Sequence, residues 1–161
     1  MNRTIIWLAV FITVILSGVT FYRHHLSWQP FRCNTHAISH IVTLDGRKLE
    51  LNLNFNVVTP HKGKSELLAV GSLSGLNENY AISRRIFISI QNSDFIGFTK
   101  AMITREEHQP IDNIPNDIWQ QYVMPEALGV AFYIETKQLN KNLFLVKGLT
   151  NPFFVCAVMM N

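Results

Sequence analysis

The chain has 161 residues, of which 48% are hydrophobic, and its 14 Lys and Arg against 11 Asp and Glu give a formal net charge of +3. The basic residues are spread along the chain and form no stripe or run, so the composition gives no footprint of nucleic-acid binding. The part that follows the first 22 residues is long enough for one domain with its own hydrophobic core and too short for two.

Residues 4–22 form an apolar run without a charged side chain. As a helix with about 1.5 Å rise per residue this run would extend roughly 28 Å, close to the hydrocarbon thickness of a bilayer. A secretory signal is the alternative, but its apolar part is usually shorter, and Ser17-Gly18-Val19 is a poor cleavage site. We therefore predict a transmembrane signal anchor at 4–22, with Trp7 and Tyr22 as interfacial aromatic residues and residues 1–3 in the cytoplasm.

The two cysteines, Cys33 and Cys156, lie near the two ends of the part that follows the anchor. An even number of cysteines in this arrangement fits a disulfide made in an oxidising compartment such as the bacterial periplasm. Two buried free thiols are the alternative, while a zinc site lacks the paired ligand spacing it needs. Because the charges that flank the anchor are nearly balanced, the cysteines decide its orientation. We expect a juxtamembrane linker at 23–32 and a periplasmic domain at 33–161.

Strand patterns dominate this domain. Apolar and polar residues alternate strictly from Leu49 to Val57, which predicts a strand with one buried face. A preceding strand at 38–44 and the Asp45-Gly46 pair predict a hairpin with a type I′ turn. Further strands are predicted at 66–73, 80–91, 95–104, 130–136, 142–147 and 153–158.

One stretch without strand pattern, between the fifth and sixth predicted strands, contains Pro110 and Pro115. The apolar residues from Ile118 to Val123 have helical spacing there, so we predict a short helix capped by Asn116-Asp117 that ends before Pro125. The predicted fold class is mainly β (α+β). It comprises an N-terminal transmembrane helix followed by an antiparallel β-sheet or barrel-like domain of about seven or eight strands with one short helix.

Recognisable catalytic motifs are missing from the sequence. It has no HExxH zinc motif, GxSxG elbow, P-loop or GxGxxG. His36 and His40, on one strand, would lie roughly 13 Å apart, which is too far to share a metal ion. The nearest acid–base cluster, Glu106-Glu107-His108, is predicted on a solvated turn. We therefore expect no cofactor, no metal site and no catalysis.

Arg84 and Arg85 are adjacent in a predicted strand, so their side chains point to opposite faces. One guanidinium then points inward and needs a carboxylate or carbonyl partner, unless both residues lie at a solvent-exposed edge. An enzyme of unrecognised type would require Arg84, Glu107, His108 and Asp112 to meet in one cleft.

Several short motifs, arranged in a characteristic order behind the anchor, resemble the FidL-like family of small enterobacterial inner-membrane proteins. That family is similar in layout to the ToxS-type accessory proteins of ToxR-like membrane-anchored transcription regulators. The resemblance implies paired cysteines at Cys33 and Cys156, and structural or partner-contact roles for Arg84, Asp112 and Pro115. The motifs are Phe31-x-Cys33, Gly71-x-Leu73, Tyr80-x-Ile82-x-Arg84, Asp112-x-x-Pro115 and Pro152-Phe153-x-x-Cys156.

The resemblance also implies a function. We expect a single-pass inner-membrane accessory protein whose periplasmic domain binds a ToxR-like regulator and stabilises or modulates it. The alternative is a periplasmic binding module for an apolar ligand such as a bile salt or fatty acid, suggested by 11 phenylalanines and 48% hydrophobic residues. Phenylalanines at strand spacing are also ordinary core residues, so the sequence leaves this choice open.

Overall fold

The computed structural model describes residues 2–26, 31–61, 63–76 and 78–158. The chain forms two compact units, Met1–Pro30 and Phe31–Asn161. The first unit contains helix α1 (Asn2–Leu26), which includes the whole apolar run 4–22. Of the predicted linker 23–32, residues 23–26 are therefore helical and 31–32 belong to the first strand, while 27–30 lie outside the described residues.

The described side chains of α1 are exposed, among them Trp7, Phe11 and Phe21. Two of its hydroxyl groups bond to the helix backbone: Ser17 donates to the carbonyl of Thr13 at 2.8 Å, and Thr20 to that of Leu16 at 2.9 Å. Among the described residues, no helix combines the length and the apolarity that a membrane span requires. The predicted anchor is therefore not confirmed by the structure.

The second unit is a closed antiparallel barrel in which each of eight strands pairs with the next and the last pairs with the first. This confirms the mainly β prediction and decides between an open sheet and a barrel. A short helix, α2 (Asn116–Tyr122), lies between the fifth and sixth strands. The strands are β1 (Phe31–Val42), β2 (Lys48–His61), β3 (Lys64–Ser74), β4 (Tyr80–Asn92), β5 (Thr99–His108), β6 (Ala131–Gln138), β7 (Leu143–Lys147) and β8 (Pro152–Val158).

Two predicted strands begin several residues away from the observed ones. β1 begins at Phe31 instead of residue 38, because β2 continues far enough to pair with it from Phe31 onward. β5 begins at Thr99 instead of residue 95, because the chain first turns at Gly97, whose φ of +83° favours glycine. β5 also continues to His108 instead of ending at residue 104. Glu106-Glu107-His108 therefore ends a strand, and its predicted location on a turn is wrong.

The hairpin between β1 and β2 forms at the predicted place with a different turn. A type I′ turn needs positive φ at both central residues, but Gly46 has φ +81° and no described non-glycine residue has positive φ. The N–H of Gly46 donates to the carbonyl of Thr43, and the N–H of Thr43 to that of Arg47, both at 2.9 Å. Hydrogen bonds from Thr43 and then Arg47 lower the pKa of Asp45 and hold its carboxylate over the turn.

The predicted helix α2 forms, but its predicted cap is wrong. Pro115 is the N-cap, in extended conformation, and no side chain caps the helix. The side chain of Asn116 is unavailable for capping because it accepts a hydrogen bond from Arg84 at 3.1 Å. The helix ends at Tyr122, before Pro125 as predicted, and it buries Trp119, which is 1% exposed.

The hydrophobic core lies in one part of the barrel. Strand register places alternate residues of each strand on the inner face, and the buried ones come from β2 to β5 together with two residues of the connection between β5 and β6. On β6 to β8 the inner residues other than the buried Cys156 are only half-buried, including Phe154, which stacks on Phe55 with ring centroids 5.6 Å apart. The buried core residues are Leu49, Leu51, Leu53, Leu67, Ala69, Leu73, Ile82, Ile86, Ile103, Ile114 and Trp119.

Candidate functional site

Arg84 is the inward-facing member of the arginine pair. Its side chain is fully buried on the inner face of β4, whereas Arg85 is exposed. Its Nε and Nη2 donate to the carboxylate of Asp112 at 3.2–3.3 Å, and Nη2 also donates to the carbonyl of Ile114 at 2.7 Å. The ring of Trp119 lies 4.6 Å from the guanidinium carbon. Arg84 therefore ties the connection that contains α2 to the barrel wall.

Asp112 and Asn113 complete the edge of β4 where β5 no longer pairs with it. The N–H of Ser83 donates to Asp112 Oδ2 at 2.8 Å, and the N–H of Ala81 donates to Asn113 Oδ1 at 2.7 Å. In return the N–H groups of Gln109 and Asn113 donate to the carbonyls of Ser83 and Ala81 at 3.0 and 3.1 Å. Side-chain oxygens thus replace the carbonyls that a neighbouring strand would offer.

The residues considered for catalysis come partly together. His108 Nδ1 lies 3.8 Å from Asp112 Oδ1, and Glu106 Oε2 lies 3.7 Å from Arg84 Nη1. Glu107 instead pairs with the exposed Arg105 at 3.1 Å. Because Asp112 is only 1% exposed and is engaged by Arg84 and the backbone of Ser83, this arrangement acts as an internal clamp. Pro115, the third residue singled out from the sequence, is exposed at the start of α2.

The two histidines considered as metal ligands do not converge. Both lie exposed on β1, and His36 Nε2 is 2.7 Å from Asn52 Oδ1 on β2. Over the described parts of the chain, no group of three or more His, Cys, Asp or Glu side chains is arranged to hold a metal ion.

The seam between β1 and β8 closes the barrel with a short ladder. Among the described residues, only the pairs Cys33–Val158 and Asn34–Ala157 join the two strands, whereas β1 pairs with β2 from Phe31 to Val42. Beyond these pairs the facing edges of the two strands, residues 35–42 of β1 and 152–156 of β8, have no strand partner in the described part of the molecule. We call these two edges the open seam.

A disulfide between Cys33 and Cys156 lies beside the short ladder. Its Cα atoms are 5.6 Å apart, and both residues are almost fully buried. The bond joins β1 to β8 on the side of the barrel to which the buried apolar core does not extend. It therefore holds the seam closed at the point where backbone pairing ends.

Elsewhere in the barrel, unpaired strand edges are either covered by side chains or carry charged residues. The edge of β4 is covered by Asp112 and Asn113, and the end of β5 carries the charged residues Arg105, Glu106 and Glu107. Charges on an edge discourage the addition of another strand. Residues 35–42 of β1 contain no Lys, Arg, Asp, Glu or Pro, and residues 152–156 of β8 contain no charged residue. The β8 edge begins with Pro152, which has no N–H to offer a new strand, so the β1 edge of the open seam is the one suited to pairing.

Sequence reasoning pointed to Arg84, Asp112, Cys33 and Cys156 and missed Asn113 and the open seam. Asn113 follows Asp112 directly, and such residues often accept backbone hydrogen bonds, so a signal was present. The lack of charge over 35–42 was also visible, but only the register shows that this segment is an unpaired edge.

Together these features define a small disulfide-bridged antiparallel barrel with one uncharged open seam and a buried arginine clamp. The family model described as "FidL-like putative membrane protein" matches residues 71–156, which is more than half of the chain. The chain belongs to this family, whose description links it to membranes. The match begins at Gly71 and ends at Cys156, so it includes Arg84, Asp112 and Pro115. A comparison with curated proteins finds no match.

Proposed function

We propose that this chain is a single-pass inner-membrane accessory protein whose periplasmic barrel binds a ToxR-like membrane-bound regulator and stabilises or modulates it without catalysis of its own. The motif resemblance to the FidL-like family, together with that family's similarity in layout to ToxS-type accessory proteins, motivates the proposal. The observation that carries it is the open seam, where two strand edges without charged side chains have no strand partner in the described part of the molecule.

An extended segment of the partner would bind by adding a strand at this seam. Its backbone would supply hydrogen bonds to residues 35–42, and alternate side chains would point into the barrel. The half-buried inner residues Phe55, on β2 next to β1, and Phe154, on β8, would be covered by an apolar side chain of the incoming strand. The partner would bind only in its ordered form and would be stabilised by mass action.

Membrane attachment through α1 is part of the proposal. Exposed apolar side chains cover this helix, and the hydroxyls of Ser17 and Thr20 bond to its own backbone, as polar groups in lipid must. Two chains anchored in one membrane also meet at a raised effective concentration. The buried disulfide suits an oxidising compartment, which favours the periplasm for the barrel.

Site-specific photocrosslinking of the full chain in cells tests this proposal. A photoreactive residue replaces Ile38, which is 55% exposed on β1 beside the open seam. The matched control replaces Val70, which is 40% exposed on β3, a strand paired on both sides. We expect a crosslink to the ToxR-like regulator from position 38 and none from position 70. Equal crosslinking from both positions, or no effect of deleting the chain on the level of the regulator, would contradict the proposal.

A second candidate function is the binding of an apolar small molecule, such as a bile salt or fatty acid, inside the barrel. The specific observation in its favour is that Phe55 and Phe154 keep partial exposure although both lie on the inner face. A thermal-shift series with fatty acid on the full chain in detergent tests it. Ligand binding raises the melting temperature of the parent chain, and it does so less in Phe154→Ala. A melting temperature that no ligand changes would exclude this second function.

A further inference from the structure

The two ends of the barrel differ in charge. We call the end at which β1 begins the proximal end; it includes the turns 93–98 and 139–142 and the strand residues next to them. The distal end includes the turns 43–47, 75–79 and 148–151 and the segment 109–130. Among described residues, the basic side chains at the proximal end are Arg32, Lys64, Lys100, Lys137 and Lys141, and the acidic ones are Glu66, Asp94 and Glu135, of which Glu135 pairs with Lys147.

Acidic residues outnumber basic ones at the distal end instead. Asp45, Glu78, Asp117 and Glu126 lie in its turns and in the segment that contains α2, against the basic residues Arg47 and Lys48, of which Arg47 pairs with Asp45. The five basic residues at the proximal end take part in no ion pair within the described part of the chain. Their charge is therefore available to an external anionic surface.

Exposed apolar side chains stand at the tips of the proximal turns. Ile96 is 100% exposed, and the turn holds it outward because the N–H of Phe98 donates to the carbonyl of Phe95 at 3.1 Å. Phe95 itself packs edge-on against Tyr133, with ring centroids 5.0 Å apart. In the next turn Leu139 is 51% exposed between Lys137 and Lys141. Apolar tips flanked by lysines are suited to the interface of a lipid bilayer.

The order of the elements along the chain supports the same direction. β1, which begins at the proximal end, is the first strand after α1. If α1 is anchored in a membrane, the proximal end is the end at which the chain enters the barrel.

From these observations we infer that the proximal end of the barrel binds the surface of an anionic bilayer, with Ile96 and Leu139 at the headgroup level and Lys100, Lys137 and Lys141 beside lipid phosphates. This inference rests on the anchoring role of α1 in the proposed function. It adds an orientation: the distal end, with the arginine clamp, points away from the membrane.

An environment-sensitive fluorophore on the full chain in vesicles of phosphatidylethanolamine and phosphatidylglycerol tests this orientation. The label is attached to Ile96→Cys, and the control label to Leu44→Cys, which lies in a distal turn and is equally exposed in water. The native cysteines stay in their buried disulfide under non-reducing conditions. We expect a blue shift and loss of emission with brominated lipid at position 96, and neither change at 44.

Charge variants test whether the lysines of the proximal end contribute to binding of the anionic bilayer. Replacing both Lys137 and Lys141 with Gln, or raising the salt concentration, reduces the blue shift at position 96, because exposed charges are screened. The matched pair Arg47→Gln and Lys48→Gln at the distal end leaves it unchanged. A shift of equal size in vesicles of phosphatidylcholine alone overturns the assignment to an anionic surface.

Flotation of the labelled chain with the vesicles separates this inference from the proposed function. If the chain floats but both labels report water, the orientation is wrong while the anchor stands. If the chain does not float, the anchor and the orientation both fail. Crosslinking to the regulator is measured separately and depends on neither label.

Discussion

Cys33 and Cys156 join β1 to β8 at the point where these strands stop pairing, two residue pairs from the described end of β8. The bond thus substitutes for backbone hydrogen bonds at the weakest ladder of the barrel. Its 123-residue separation also encloses nearly the whole barrel, so it restricts the unfolded chain over the same region.

Replacing both cysteines with serine should lower the free energy of unfolding by about 4 to 5 kcal/mol on the chain-entropy estimate. Denaturant unfolding of the full chain in detergent measures this loss. Hydrogen exchange should then show β8 opening before β3, because the buried core lies in β2 to β5 and does not include β8. The reduced parent chain is the control and should behave like the double variant. Equal protection of β3 and β8 in the variant would contradict this account of the seam.

The second prediction concerns the buried ion pair between Arg84 and Asp112. Asp112→Asn keeps the shape of the side chain but leaves the buried guanidinium with only the more distant Glu106, 3.7 Å away, as a charged partner. Removing one member of a buried pair costs about 3 to 5 kcal/mol of stability. Denaturant unfolding measures the loss.

Arg105→Gln, which breaks the exposed pair with Glu107, is the matched control and should cost less than about 1 kcal/mol. If the two variants lose equal stability, Arg84 and Asp112 do not form the clamp described here.

The third prediction concerns Asn113, whose side-chain oxygen takes the place of a strand carbonyl at the edge of β4. Asn113→Ala removes the acceptor of the Ala81 N–H, and we expect a cost of about 1 to 2 kcal/mol, measured by denaturant unfolding. Asn113→Asp retains an acceptor oxygen and should keep most of that stability. Slower hydrogen exchange of the Ala81 amide in Asn113→Asp than in Asn113→Ala is the second readout, and identical exchange in both would refute the role of the oxygen.

Much of the barrel could be predicted from the sequence because each strand carries its own signal. The two-residue alternation from Leu49 to Val57 reports which face is buried without reference to any other strand. The start of β1 was missed because its first residues pair with the far end of β2 and with the end of β8, which are contacts between residues distant in sequence.

Part of the candidate site could also be predicted from the sequence, and part could not. Strand periodicity predicts that one of Arg84 and Arg85 points inward if that face is covered, and burial implies that it needs a carboxylate or carbonyl partner. That the inward residue is Arg84 and its carboxylate Asp112 depends on how the connection folds back. The cap at Asn116 was predicted wrongly for a related reason: a buried arginine competes for the same oxygen. The open seam is a property of register, which no local pattern contains.

Gly71 permits a close approach of two strands and gives the fourth prediction. A Cβ atom at this position on β3 would lie 1.9 Å from the carbonyl oxygen of Asn52 on β2, so alanine cannot fit without backbone movement. Gly71→Ala should cost more than about 2 kcal/mol, by the destabilisation typical of overpacking. Gly97→Ala is the comparison, because a Cβ there meets nothing within 4 Å and only its φ of +83° opposes the change. Thermal unfolding that ranks Gly97→Ala as the more damaging would contradict the close approach.

A charge on the open seam should separate partner binding from stability. Ile38→Lys places a charge on the uncharged edge of β1, which should oppose the addition of a partner strand, as lysines do on natural edge strands. The side chain is already 55% exposed, so the free energy of unfolding should change by no more than about 0.5 kcal/mol.

The matched control for this charge is Val70→Lys, on the outer face of the fully paired β3. Co-purification from detergent with the ToxR-like regulator should be lost in Ile38→Lys and retained in Val70→Lys. Of these two strands, β1 offers an unpaired edge to a new strand and β3 does not. Retention in both would place the contact elsewhere on the barrel. Loss in both would mean that the partner recognises the outer wall rather than the backbone of the seam.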